Sequence, residues 1–295
     1  MTQSAPPISV GMPVFNGEPY VHLAISSVLE QSFGDFELVI CDNASTDNTE
    51  AICRTAATDD GRIRYIRNRR NVGAAQNYNL CFEHSRGEFF RWMNADDLIA
   101  PSLHQRCLDA LEANPEAVLA YGKTSLIDSN GDVTGRYEDN LDLHQSRSSE
   151  RLREFFKNVG LTNVIYGLMR RRALERTALM GNGRIPAADI RLMVELTLLG
   201  QFIEIPDSLF YRRIHGEASS ADRQDQARQT AFWRGTNNTD AFRLPAWRTH
   251  MEYLSAAMRL PDSMSERARA SLFTLRRMYW SRSELASELV QLFVS

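Results

Sequence analysis

The chain has 295 residues and a mass of 33.5 kDa, enough for one large α/β domain or for a core domain with an extension. Apolar residues make up 43% and charged residues 24%, which excludes disorder over most of the chain. The formal charge of −3 excludes a protein that coats nucleic acid. Of the 34 basic residues only Lys123 and Lys157 are lysines, a skew that fits genome composition as well as anion recognition. No stretch reaches the roughly 20 apolar residues that span a bilayer. Met1 to Pro7 holds no basic segment followed by an apolar run, so no signal peptide is expected. Cys41, Cys53, Cys81 and Cys107 form no C-x-x-C pair; they read as buried thiols of a reducing, cytoplasmic location and not as zinc ligands.

The first third alternates strand and helix. Ile8 to Val14 reads as a buried strand, and Pro19 suits a first helical turn ahead of Val21, Ala24, Ile25, Val28 and Leu29. Phe36 to Cys41 is a second strand. Asp47 and Glu50 make an acidic capping pattern before Ile52 and Cys53. Arg62 to Arg67 is a third strand, Gly73 to Glu83 a helix, and Glu88 to Met93 a fourth strand. Pro101 to Ala113 is helical, and Ala117 to Tyr121 is a strand. Such alternation predicts βαβ units and a mostly parallel sheet, whose ligands bind beyond the carboxyl ends of the strands. The polar clusters Asn16-Gly17-Glu18, Asp42-Asn43-Ala44-Ser45 and Asn94-Ala95-Asp96-Asp97 all fall on that rim.

Beyond Tyr121 the pattern changes. Ser129-Asn130-Gly131-Asp132 is a hairpin turn signal. Asn140 to Ser149 reads as a polar loop. Arg151 to Phe156, Arg172 to Met180 and Asp189 to Leu199 read as helices, with Gly200 as a stop. Gln201 to Ile205 and Leu209 to Ile214 read as two strands. From Ser219 onward the chain reads as mainly helical, with Trp233, Trp247 and Trp280 scattered through it.

Adjacent carboxylates such as Asp96 and Asp97 repel, and a hard divalent cation, Mg²⁺ or Mn²⁺, relieves that repulsion while bridging to phosphate oxygens. A capped turn ahead of the helix at Pro101 explains the same pair. Asp42 ends a strand, where its carboxylate can accept a ring N–H of uracil or thymine, or close an Asx turn on its own backbone.

In combination the motifs say more. Met12-Pro13-Val14-Phe15-Asn16-Gly17, Cys41-Asp42-Asn43-Ala44-Ser45-Thr46-Asp47, Asn71-Val72-Gly73-Ala74-Ala75-Gln76-Asn77 and Asn94-Ala95-Asp96-Asp97 follow in this order at sheet-compatible intervals. The series resembles the family 2 glycosyltransferases, from about Ile8 to about Ser220. The resemblance implies the GT-A fold, a Rossmann-like mostly parallel sheet flanked by helices. It also implies a nucleotide-sugar donor and inversion at the anomeric carbon. The domain would occupy residues 1–220, with a nucleotide-binding half at 1–122 and an acceptor half at 123–220, followed by a helical extension at 221–295.

The resemblance implies roles as well. Pro13, Phe15 and Glu18 look like the first nucleotide-contacting loop, and Asp42 like the base-reading aspartate. Gly73 and Asn77 match the segment packed on the nucleotide. The D-x-D positions fall on Asn94, which can bond a ribose hydroxyl, and Asp96, which matches the metal ligand; Asp97 follows as a second acid. Asp189, at a helix start after Ala187-Ala188, matches the catalytic base, where an acid usually precedes it. Tyr211-Arg212-Arg213-Ile214-His215 and the residues to Ser220 resemble the segment that folds over the pyrophosphate, so Arg212, Arg213 and His215 would face the diphosphate and His215 would join the metal. An N-cap at Asp189 and a surface histidine at His215 are the plainer explanations.

The implied reaction moves a sugar from a UDP or dTDP donor to a hydroxyl of a glycan, a lipid-linked or a small-molecule acceptor, in cell-surface polysaccharide or glycoconjugate synthesis. The implied cofactor is Mn²⁺ or Mg²⁺. Any membrane contact would be peripheral, at the inner face, and the C-terminal helices could pair two subunits. Two alternatives are a nucleotide-sugar-binding protein without catalysis, suggested by Asn94 and Ala188, and a sugar nucleotidyltransferase, which would want a Gly-rich basic loop where Met12 to Gly17 stands. An oxidoreductase would want G-x-G-x-x-G after the first strand.

Overall fold

A computed structural model describes residues 5–183, 185, 188–215, 232–234 and 244–294. Ala187 and the Gly216–Ser220 part of the expected pyrophosphate segment lie outside the described residues. The amino-terminal half alternates β1 (Ile8–Val14), α1 (Val21–Leu29), β2 (Phe36–Asp42), α2 (Thr49–Asp59), β3 (Ile63–Arg67), α3 (Ala74–Glu83) and β4 (Phe89–Trp92). β1 and β2 are buried along their whole length, which is why they read as unbroken apolar runs: strands with helices on both faces have no wet side.

The chain continues through β5 (Leu98–Ile99), α4 (Leu103–Ala113), β6 (Ala117–Ile127) and β7 (Val133–Tyr137). After α5 (Ser148–Asn158) come a 3-10 turn at Asn163–Tyr166, β8 (Leu168–Arg170), α6 (Arg171–Leu174), α7 (Ala188–Leu199) and β9 (Gln201–Arg213). All nine strands form one sheet of order β3-β2-β1-β4-β8-β6-β9-β5, with β7 added on β6. The first four are mutually parallel. β8 then runs antiparallel to both β4 and β6, β6 and β9 are parallel, β5 pairs antiparallel with β9, and β7 antiparallel with β6. The sheet is thus parallel over β1 to β4 and mixed beyond them.

Three expectations change. Gln201 to Arg213 is one strand, not two; shifts of pairing around Gly122 to Thr124 absorb its Pro206-Asp207 interruption. The helix expected over Arg172 to Met180 stops at Leu174, because the Thr177 hydroxyl bonds the Leu174 carbonyl and the Ala178 N–H turns to the Glu195 carboxylate. Pro19 precedes α1 instead of opening its first turn.

Alternate strand residues feed two cores. Ile8, Val10, Met12, Leu38 and Ile40 pack with α1, α2 and α4, while Val39, Cys41, Phe90 and Trp92 pack with α3, α5 and α7. The second core also holds Tyr253, Ala256 and Ala257 of α8 (Pro245–Arg259), Leu260 just after it, and Ala270 of α9 (Met264–Trp280). The last helix is α10 (Arg282–Val294). All four cysteines are buried and free. Among the described residues no helix is long and apolar enough to cross a membrane.

Candidate active site

A cavity of about 450 Å³ opens beyond the carboxyl ends of β1, β2 and β4. It is lined by the first loop, at Pro13 to Gly17, Pro19 and Tyr20, by Asn43 and Asn71, by the first turns of α3, and by Asn94, Ala95 and Asp96. His215 and Phe232 close its far side. The polar rim expected from the sequence is therefore a real concavity.

Its floor is set by loops that bond one another. The N–H groups of Asn16, Gly17 and Glu18 donate to Ser45 Oγ (2.9 Å), Thr49 Oγ1 (2.8 Å) and Asp47 Oδ2 (3.0 Å). In return Asn16 Oδ1 accepts the Thr46 N–H at 2.8 Å. This lacing holds Asn16 (φ 53°) and Ala44 (φ 65°) in the left-handed region. Asparagine tolerates that region, but for alanine it is strained. Gly73 (φ 85°) begins α3 at the cavity edge, and Ala74, Asn77 and Tyr78 of its first turns face inward.

Of the residues expected to bind nucleotide, Pro13, Phe15, Asn77, Asn94 and Asp96 line the cavity, and Gly73 stands between two lining neighbours, Asn71 and Ala74. Phe15 is 45% exposed, a ring held out at the mouth. Asn77 Nδ2 donates to the Cys41 carbonyl at 2.8 Å, fixing α3 to the end of β2. Asn94 accepts the Tyr78 hydroxyl (2.6 Å) and donates to Tyr166 Oη (2.7 Å) and Asp97 Oδ2 (3.0 Å). Burial raises both phenols well above their usual range, so they act as neutral hydroxyls.

Other expected residues face elsewhere, for identifiable reasons. Asp42 is fully buried: Oδ1 accepts the Ser45 N–H (2.8 Å) and Oδ2 the Tyr65 hydroxyl (2.5 Å), while its neighbour Asn43 lines the cavity. Glu18 accepts the backbone and side-chain N–H groups of Asn48 (3.1 and 2.7 Å) and does not line the cavity. Asp97 is buried behind Asp96, its oxygens taken by the Arg213 N–H (2.8 Å) and Asn94. Burial first, and the Asp96 charge second, push it up to about 7.

Neither arginine expected at a diphosphate lines the cavity. The Arg213 guanidinium is buried, donating to the carbonyls of Asp96 (2.8 Å), Asp128 (2.7 Å) and Ser129 (3.1 Å). Arg212, on the opposite face of the same strand, donates to Asn163 Oδ1 at 2.5 Å.

Asp96 is the only carboxylate on the cavity wall among the described residues, and its Oδ2 lies 3.1 Å from His215 Nε2. The His215 ring packs on Tyr20 at 5.2 Å between centroids, and the Arg213 guanidinium sits 4.5 Å from the centroid of the Tyr20 ring. Tyr20 thereby joins the first loop to the end of β9. Asp189 lies in the first turn of α7, half-buried and near enough to raise the Tyr253 phenol, though burial is the larger cause there. It does not line the cavity.

Sequence reasoning gave no role to Tyr20, Asn43, Asn71 or Tyr78, all of which line the site. Asn43 and Asn71 sit inside the quoted motifs, and Tyr78 lies one turn along α3 from Ala74. That helical spacing is the signal that could have found it.

Comparison with known proteins agrees with this architecture. The family described as Glycosyl transferase family 2 matches residues 9–177. An uncharacterized glycosyltransferase of Haemophilus influenzae is 27% identical over 240 residues, covering 78% of this chain and 72% of its own. The chondroitin synthase of Escherichia coli is 24% identical over 77% of this chain, which spans only 32% of that enzyme. The crystal structure of Staphylococcus aureus TarS 1–349 in complex with UDP superposes with a TM-score of 0.66 at 14% identity, over 92% of this chain and 71% of that one. The mannosyltransferase PcManGT of Pyrobaculum calidifontis, in complex with GDP-Man and Mn²⁺, gives 0.55 at 15% identity, over 99% and 81%. These solved structures share the GT-A fold. With more than half its length matched, this chain belongs to glycosyl transferase family 2.

Proposed function

We propose that this protein transfers a sugar from a nucleoside-diphosphate sugar, with UDP or dTDP as carrier, to an acceptor hydroxyl in cell-surface polysaccharide or glycoconjugate assembly. The observation that carries the reading is the cavity at the strand ends, walled by Phe15, Tyr20, Tyr78 and asparagine amides, with Asp96 as its one described carboxylate. Such a wall suits a base stacked on an aromatic ring and a ribose held by amides. Asn43 and Asn71, whose amides bond one another at 2.9 Å, would form the wall against which the base lies, with Asp42 held directly behind Asn43. The known neighbours point the same way: TarS binds UDP, and WfgD of Escherichia coli, 31% identical over 44% of this chain, is named as a glucosyltransferase acting on a GlcNAc-diphosphoundecaprenol. A lipid-linked acceptor is accordingly one of the acceptor classes proposed.

Asp96 and His215 are the residues that would hold Mn²⁺ or Mg²⁺. A carboxylate and an imidazole are suitable donors, and the described residues offer no group of three, so a shell completed by diphosphate and water is what the donor set fits. The cation would supply positive charge where the departing diphosphate gains negative charge. Asp189 would take the proton of the acceptor hydroxyl as its oxygen bonds to the anomeric carbon and the bond to the phosphate oxygen breaks, a single in-line displacement with inversion. Its place at the start of α7 supports this. The enzyme domain would comprise residues 1–220, with residues 221–295 as the extension.

A thermal-shift series with UDP, dTDP and GDP, each with and without Mn²⁺, tests the reading, because a ligand of the native state raises the melting temperature. UDP or dTDP with Mn²⁺ should give the largest rise. If no nucleoside diphosphate moves the transition, the proposal fails. Binding without any release of UDP from UDP-sugars would favour the non-catalytic alternative, which the Ala188 that precedes Asp189 leaves standing.

A further inference from the structure

A second concavity lies between α5 and the carboxyl-terminal helices and shares no lining residue with the cavity at the strand ends. A groove of about 380 Å³ runs between α5 and α9, lined by Arg153, Phe156, Lys157, Phe273, Arg276, Arg277 and Trp280. Four cations and three aromatic rings make up its described lining. Lys157 pairs with Glu154 at 2.7 Å. Among the described residues no carboxylate pairs with Arg153, Arg276 or Arg277. The Arg277 guanidinium stacks 4.0 Å from the Phe156 ring centroid, and its Nε is buried without a hydrogen-bond partner. The groove therefore gathers positive charge against aromatic rings, with little described negative charge to offset it.

The groove opens beside an apolar stripe. On α9, Leu272 (59% exposed), Leu275 (48%) and Tyr279 (64%) recur at steps of three and four on the outward face. Trp280 (59%) stands between stripe and groove. Burial in a core would hide this face, and it is not hidden.

We propose that this face of α5 and α9 seats on an anionic membrane surface, with the groove taking lipid phosphate and the stripe lying among the acyl chain boundary groups. The occupant must present negative charge directly beside an apolar medium. A bilayer interface does so, and Trp and Tyr favour that depth. A second copy of this chain fits less well: an isologous contact would bring Arg153 and Arg276 of one copy against the same cations of the other. A free phosphate would engage the groove but leave the stripe unused.

The test uses the full chain with sedimenting vesicles of phosphatidylcholine alone and of phosphatidylcholine mixed with phosphatidylglycerol. Binding should be at least about tenfold tighter to the mixed vesicles and should weaken as salt is raised. The pair R153E/R276E should lose that preference. L275D, which leaves every cation in place, should also lose binding. Both sets of positions are exposed, so melting temperatures should stay at the wild-type value. Equal binding to the two vesicle types, no binding to either, or full binding by R153E/R276E would overturn the proposal. So would displacement by millimolar inorganic phosphate with L275D binding normally, which would mark a plain phosphate site. A dimer that L275D dissociates, without vesicle binding, would assign the face to a second copy.

Discussion

Asp97 accepts the backbone N–H of Arg213 at 2.8 Å, so the acid next to Asp96 serves the sheet and not the cavity. The two neighbours divide their work: Asp97 ties the loop after β4 to the end of β9, and that tie carries His215 to within 3.1 Å of Asp96. Asp97→Ala leaves the Arg213 N–H and an Asn94 N–H without partners and should cost about 1–3 kcal/mol in urea unfolding. Asp96→Ala, at a partly exposed side chain, should cost within about 0.5 kcal/mol. In calorimetry Asp96→Ala should nonetheless lose the Mn²⁺-dependent part of UDP affinity. Equal stability losses for the two would contradict the division of roles.

Asp189→Asn keeps the shape of the side chain and removes its basicity. Transfer should fall by about 10²–10⁴-fold, the range typical for loss of a general base. UDP affinity should change less than about twofold on the same reasoning, since the residue does not line the cavity at the strand ends. Transfer near the wild-type rate would place the base elsewhere.

Asp139 is buried with Oδ1 on the Asn163 N–H at 3.0 Å. Burial outweighs its backbone hydrogen bonds and pushes it up to about 7. A carboxyl raised in the folded state favours the protonated form there. Its contribution to stability is therefore complete below pH 4, its unfolded range, and is lost as pH rises through about 7. Stability from this group should decline across that window with a slope of at most about 1.4 kcal/mol per pH unit. Asp139→Asn should flatten the decline in urea titrations run from pH 4 to pH 8. A stability difference between variant and wild type that stays constant over the window would show that Asp139 does not titrate there.

Ala44 holds a left-handed backbone at φ 65° in the loop that floors the cavity. A side chain in that region costs roughly 1–2 kcal/mol, partly offset by the extra chain entropy of glycine when unfolded. Ala44→Gly should raise stability by about 0.5–1 kcal/mol. A lower melting temperature in the variant would mean that the lacing from Asn16 to Thr46 relaxes the strain.

The fold was largely legible because burial on both faces writes strands such as Ile8–Val14 as plain apolar runs, and helix periods such as Val21, Ala24, Ile25 and Val28 are unambiguous. Gln201–Arg213 was harder: Pro206-Asp207 resembles a turn, and only pairing with β6 across a shifted register keeps it one strand. At the site, loop positions were legible and side-chain directions were not. Asp42 and Asn43 are sequence neighbours, yet the Tyr65 hydroxyl from β3 draws one inward and leaves the other on the wall. Arg212 and Arg213 look interchangeable in sequence, yet strand alternation sends them to different partners, and those carbonyls and amides come from residues far along the chain.

The helices beyond the proposed boundary complete a core that the preceding half leaves open. Tyr253, Ala256, Ala257 and Leu260 share one apolar cluster with Phe155 of α5 and Leu192 of α7. Glu266 of α9 accepts the Ser149 N–H at 3.0 Å in the first turn of α5. A chain cut after Ser220 would present that cluster to water, so it should aggregate instead of yielding a smaller working enzyme. Helices α5 and α7 and the helices after residue 244 should stand or fall as one cooperative unit, and an inherited shortening of this protein from its carboxyl end would cost it the cavity at the other.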